Sequence, residues 1–159
     1  MNLFDQLANT DLTEVSTAYP VLVGGVYEFE IKAAEKKTSD RTGGDYLSFS
    51  VALISPEATD TNGNAISPGY LMRHMISLTP SAKQLEKKSE EECNKDAIAS
   101  LCKFLDAIML TRVWDETLES YVGLTFFAKT KVGKERTDSN TGDVYAAQSE
   151  FASFLPKQA

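Results

Sequence analysis

The residues with the most chemical character lie between Thr125 and Tyr145. Thr125, Phe126, Phe127, Ala128, Lys129, Thr130 and Lys131 alternate as a strand would. Lys134, Glu135 and Arg136 follow, and a polar turn over 137–143 leads into Val144 and Tyr145. Lys129, Lys131, Lys134 and Arg136 share this loop with one acidic residue, although the whole chain carries a net charge of −7. Cations that neutralise phosphates, placed beside flat rings that stack on unpaired bases, are what a single-stranded polyanion requires. The competing reading is a solvated hairpin whose lysines discourage edge pairing.

Other candidates join this set. Lys36, Lys37 and Arg41 lie in a polar loop over 35–45, and Tyr46 follows it. Arg73 lies on a later strand, within reach of a phosphate. Phe127 shares a strand face with Lys129 and Lys131, so it either stacks on a base or packs under a helix or the N-terminal arm. Tyr46 is either a platform or an edge tyrosine with a wet hydroxyl. Tyr145 lies across the hairpin from the basic strand, although its strand pattern favours the core. Trp114 reads as a core residue, and His74, the sole histidine, as a structural one.

Catalytic chemistry finds little support. There is no glycine-rich phosphate loop ending in Lys and Ser/Thr, and no nucleophile elbow. Asp60, Glu90, Glu91 and Glu92 fall in a loop or on an exposed helix, where solvation is the default, and no carboxylate cluster for a catalytic metal assembles. Cys93 and Cys102 are nine apart, about 180° on a helix at ~100° per residue, so they neither share a metal nor form a disulfide. The sequence is read as a non-enzyme without cofactor or metal.

The positioning elements follow from periodicity. With 159 residues and 42% hydrophobic content the chain fits one domain with a substantial core. Residues 1–19 read as an N-terminal arm with a short stripe of Leu3, Phe4, Leu7 and Leu12, and 20–159 as the domain. The start lacks a basic, apolar leader pattern, and no run has the length of a membrane span, so an intracellular location is expected. A first strand over 26–33 puts Tyr27, Phe29 and Ile31 on one face and Glu28, Glu30 and Lys32 on the other. A second over 46–54 buries Leu47, Phe49, Val51 and Leu53. Residues 55–69 form an irregular excursion. A third strand over 70–78 is apolar on both sides, as if covered outside. A helix capped by Asn94 carries Ile98, Leu101, Cys102, Leu105, Ile108 and Met109 on one face. A fourth strand puts Val122, Leu124 and Phe126 on one face and Tyr121, Thr125, Phe127, Lys129 and Lys131 on the other, and a fifth spans 144–154.

Three strands, a helix and two strands make a mainly β fold with the element order of the OB fold, a five-stranded Greek-key barrel with a helix between strands three and four. An open antiparallel sheet with a helix on one face is the alternative. In the barrel, the loops joining strands one and two and strands four and five flank the binding face. Those are the two loops that carry the basic residues.

The segment Gly25-Val26-Tyr27-Glu28-Phe29-Glu30-Ile31-Lys32-Ala33-Ala34-Glu35, with the strand entry Gly43-Gly44-Asp45-Tyr46-Leu47-Ser48-Phe49, resembles phage-encoded OB-fold single-stranded DNA-binding proteins. The later helix, Tyr121-Val122-Gly123-Leu124 and the last strand with Tyr145 are similar too. The likeness covers about residues 20–154 and lies in element order and strand starts. It implies sequence-tolerant binding and protection of single-stranded DNA in phage replication or recombination, in the host cytoplasm. Phage replication or recombination proteins and further copies of the chain are the implied partners. The acidic C-terminal tail by which many such proteins recruit partners has no counterpart in residues 153–159. The rival function is a protein-interaction or scaffold module on the same fold, without nucleic-acid binding.

Overall fold

Alternating apolar residues on five long segments build an antiparallel sheet. The computed structural model describes residues 2–11, 19–137, 142, 144–145 and 147–158, and only the backbone of Arg136, Val144 and Tyr145. The strands are β1 (Val26–Thr38), β2 (Asp45–Leu53), β3 (Ala58–Thr59), β4 (Ala65–Ile66), β5 (Leu71–Ser77), β6 (Thr125–Val132), β7 (Arg136–Thr137), β8 (Val144–Tyr145) and β9 (Ser149–Phe154). The helices are α1 (Leu3–Ala8), α2 (Ala82–Leu85) and α3 (Glu90–Ile108). The main sheet runs β5-β2-β1-β6-β9, and every pairing is antiparallel. β3 with β4 and β7 with β8 form two small hairpins.

The ladder is not closed into a barrel: β5 and β9 are its two ends. Four strand spacings of ~4.8 Å would hold those ends ~19 Å apart in a flat sheet. Yet the rings of His74 on β5 and Phe154 on β9 lie 4.6 Å apart, centroid to centroid. The sheet is therefore strongly curled, and side chains join its ends. Two register shifts, between Ile31 and Ala33 and between Lys129 and Thr130, supply local bends. At the other end of the seam the Tyr70 hydroxyl donates to the Pro20 carbonyl at 2.5 Å and lies 3.1 Å from Ser149 Oγ.

Inside the curl sit Phe29, Phe49, Phe104 and Phe126, all buried, with Phe151 and Phe154 packed against them. Phe104 is central, 4.6 Å from Phe49, 5.4 Å from Phe126 and 5.2 Å from Phe154. The buried faces of β1 and β2 are those that alternation predicts.

Several elements differ from the sequence reading. α3 begins at Glu90 and is capped by Ser89, which accepts from Glu92 N–H, so Asn94 is interior. Its buried face runs through Cys93, Phe104, Leu105, Ala107 and Ile108. Ile98 is exposed because it lies about 120° round the helix from Phe104, at ~100° per residue. β6 starts at Thr125 and not at Val122. A 3₁₀ turn over Glu119–Tyr121 and Gly123 at φ +92° precede it, so Tyr121 is fully buried while Val122 is exposed. Trp114 is half-exposed, and the core position expected for it is taken by Tyr121, whose hydroxyl donates to Val113 O and accepts from Asp115 N. α1 forms on the predicted stripe, but Leu3, Phe4 and Leu7 are all exposed and nothing covers them among the described residues. Leu12 lies outside the described residues. No helix described is long and apolar enough to cross a membrane.

Candidate nucleic-acid interface

Alternation on β6 sets the first patch. Phe126, Ala128 and Thr130 are buried, so Phe127, Lys129 and Lys131 face outward. Phe127 retains 50% of its surface, which removes it from the core. Phe127 and Lys131 are four residues apart on one face, ~13 Å at ~3.3 Å per residue. Among the described residues neither Lys129 nor Lys131 makes an ion pair. The register nevertheless sets Glu28 opposite Phe127 and Glu150 opposite Lys131, whereas Lys129 faces Val26 and Ser153. Gly133 continues the strand by donating to Gln148 O at 2.7 Å. A Cβ there would run into the Glu150 carboxylate. Lys134 follows, exposed. Arg136 pairs with Tyr145 across the β7–β8 hairpin, but the side chains of both lie outside the described residues.

The second patch is at the other end of β1. Lys36 and Lys37 belong to the strand and not to a loop, because β1 continues to Thr38 and pairs them with Leu47 and Tyr46. The Thr38 hydroxyl closes the hairpin by donating to Asp45 Oδ1 at 2.7 Å. The loop proper is 39–44, where Gly43 takes φ +73° and its N–H reaches Ser39 O at 2.8 Å. Arg41 stands exposed at its tip. Tyr46 is half-buried and stands between Lys37 and Ser77. Lys36 lies 3.8 Å from Asp45 and Lys37 3.5 Å from Glu35, in exposed pairs of little energetic weight. From Glu28, beside Phe127, to Lys37 is nine steps of β1, ~30 Å. The fold thus sets Lys37 beside Tyr46 on one face of the β1–β2 hairpin, Lys36 on the opposite face and Arg41 in the loop, lines Phe127, Lys129 and Lys131 along one face of β6 with Lys134 after them, and separates the two groups.

Arg73 lies on the outer face of β5, opposite Ser50 and without an ion pair among the described residues. Its neighbours on that face, Leu71 and Met75, are more than half exposed. The outer cover expected from the doubled apolar pattern of this strand is absent among the described residues. Beside them β2 presents only Ser48, Ser50 and Ala52, a floor of small side chains. Sequence reasoning missed this trough, although the apolar residues on both faces of β5 were its signal.

His74 belongs to the interior. Phe49, Phe104, Phe151 and Phe154 surround its ring, and burial lowers its pKa to about 4. Its Nε2 has no hydrogen-bond partner among the described residues. Asp115 is held well below the usual carboxylate range by hydrogen bonds from Ser120 and Thr117, an arrangement that shapes the turn before β6. Cys93 and Cys102 are free thiols, the first buried. Among the described residues no group of three or more His, Cys, Asp or Glu side chains is placed to hold a metal ion. No protein-family model and no curated protein matches the chain.

Proposed function

We propose that this chain is an OB-fold protein that binds single-stranded DNA with little sequence preference and protects it during phage replication or recombination, without catalysis. The observation that carries the reading is the outward strip of β6. A large ring half-open to solvent stands in line with two lysines that make no ion pair among the described residues. A ring of this kind stacks on an unpaired base, and the ammonium groups track the backbone. The strand order β5-β2-β1-β6-β9, with α3 between β5 and β6, supports the fold assignment. The test is a gel shift with single- and double-stranded oligonucleotides of equal length, at low and high salt. Preference for the single strand, weakened by salt, supports the reading, and equal affinity for both removes the stacking part.

One observation favours the second reading, a protein-interaction or scaffold module. Glu28 and Glu150 stand in register with Phe127 and Lys131, so the strip is not a uniform cationic surface. Absence of oligonucleotide binding at low salt would favour the module.

A further inference from the structure

We propose that the free edge of β5 and the N-terminal half of α3 form a groove that takes an extended, cationic peptide segment of a protein partner as an added β-strand. The proposal is independent of the single-strand reading.

The first observation is hydrogen-bonding direction. β5 pairs with β2 on one side, and among the described residues no strand pairs with its other side. Leu53 N–H donates to Tyr70 O and Leu78 N–H to Asp45 O, each at 2.8 Å. Antiparallel alternation then turns the backbone groups of residues 72, 74 and 76 toward β2 and those of 71, 73, 75 and 77 outward. Tyr19 confirms the phase: its hydroxyl donates to Leu71 O at 3.0 Å and accepts from Leu71 N–H at 2.9 Å. The tyrosine caps the start of the edge. Next to it the His74 ring meets Phe154 of β9 at 4.6 Å, so the open run of the edge is at Met75 and Ser77, which line the groove, and an extended peptide is the ligand whose own N–H and C=O groups match such a row.

The second observation is room beside that edge. A groove of about 240 Å³ runs between residues 74–80 and α3. On α3 its wall includes Cys93, Ala97 and Ser100, at i, i+4 and i+7. The same helix face continues to Phe104 and Ile108, which are buried and fill the space against the sheet. Large residues thus close the helix–sheet gap at one end, and small ones leave it open at the other.

The third observation is charge. Asp96 lines the groove with Lys88 Nζ 2.6 Å from its carboxylate, the three carboxylates of Glu90, Glu91 and Glu92 form the first turn of α3, and the chain is at −7. This favours a basic strand and opposes a phosphate backbone, which makes the partner a protein.

The test uses the full chain and a fluorescein-labelled peptide of alternating valine and lysine, followed by anisotropy. Saturable one-to-one binding is expected. Met75→Pro removes an edge N–H without touching the β2 ladder, and Ala97→Phe fills the groove. Each should weaken binding about tenfold or more, the loss of one or two hydrogen bonds or of the docking space. A peptide N-methylated at alternate residues should fail on the wild-type chain. That arm and Ala97→Phe decide the matter if the proline variant does not fold. Undiminished binding by a folded Ala97→Phe variant, equal binding of the methylated peptide, or no saturation with the parent peptide overturns the proposal. Loss of oligonucleotide binding in Ala97→Phe, with peptide binding intact, overturns it too by assigning the groove to nucleic acid.

Discussion

Glu28 stands directly across the β1–β6 ladder from Phe127. The ring that would meet a base therefore has a carboxylate as its nearest cross-strand neighbour, on the same outward face. A phosphate about 8 Å from that carboxylate would be repelled by about 0.5 kcal/mol in water. Glu28→Gln keeps the shape and removes the charge. Its affinity for a single-stranded oligonucleotide at low salt should rise roughly twofold. An unchanged binding isotherm would place the nucleic acid away from Phe127.

Phe127→Ala separates packing from binding. A half-exposed ring contributes less to stability than a buried phenylalanine, whose truncation costs ~3–5 kcal/mol. The variant should therefore melt close to wild type while losing ~1–3 kcal/mol of single-strand binding. A melting curve and an isotherm on the same preparation measure both. A large fall in melting temperature with normal binding in the folded fraction would refute the stacking role.

How far the sequence anticipates these positions depends on whether pairing is local. The inward faces of β1 and β2 follow from alternation, because their large apolar residues fall on one side, although Ser48 and Ala52 on the other side of β2 are buried too. Phe127 is ambiguous in the sequence because strand alternation gives its face but not whether something covers that face. Lys36 and Lys37 read as loop residues in the sequence because a polar strand end resembles a loop until Leu47 and Tyr46 pair with it. Phe151 and Phe154, three apart, both reach the core because the register shifts between Lys129 and Thr130 on the partner strand. No period-2 reading finds that. Phe104 escapes a stripe that is anchored on Ile98 and Cys102, because the buried face is rotated from it and runs through Cys93, Phe104 and Ile108. The separation of the two basic patches along β1 is a property of the register, which composition does not encode.

The two patches should differ in salt response. Lys129 faces Val26 and Ser153 and has no carboxylate opposite it, so a phosphate bound there releases a full counterion. Lys129→Ala should reduce the slope of log affinity against log salt by about 0.7, the increment for one contact on a single strand. Lys36 and Lys37 already lie near Asp45 and Glu35. Replacing both with glutamine should weaken binding and flatten the slope by less than two such contacts. Titrations at several salt concentrations distinguish these outcomes. Slopes equal to wild type for all three changes would remove both patches from the interface.

His74 makes stability depend on pH. It is the sole histidine, and burial among aromatic rings lowers its pKa from 6.5 to about 4. Around it, Phe49, Phe104, Phe151 and Phe154 are uncharged, and Asp96 and Cys93 share the groove that it lines. The folded state favours the neutral ring, so below pH 6.5 the unfolded chain binds a proton that the folded chain does not. The stabilisation is fully present above pH 6.5 and is lost as pH falls from 6.5 toward 4. The difference corresponds to ~3 kcal/mol across that window. His74→Phe preserves a ring in the seam between β5 and β9 and removes the proton site. Its melting temperature should change less between pH 7 and pH 4.5 than that of wild type. The two proteins should differ most in pH slope near pH 5, where the unfolded histidine is protonated and the folded one is mainly neutral. Parallel melting profiles for the two proteins across this range would show that the imidazole is not held neutral inside the fold.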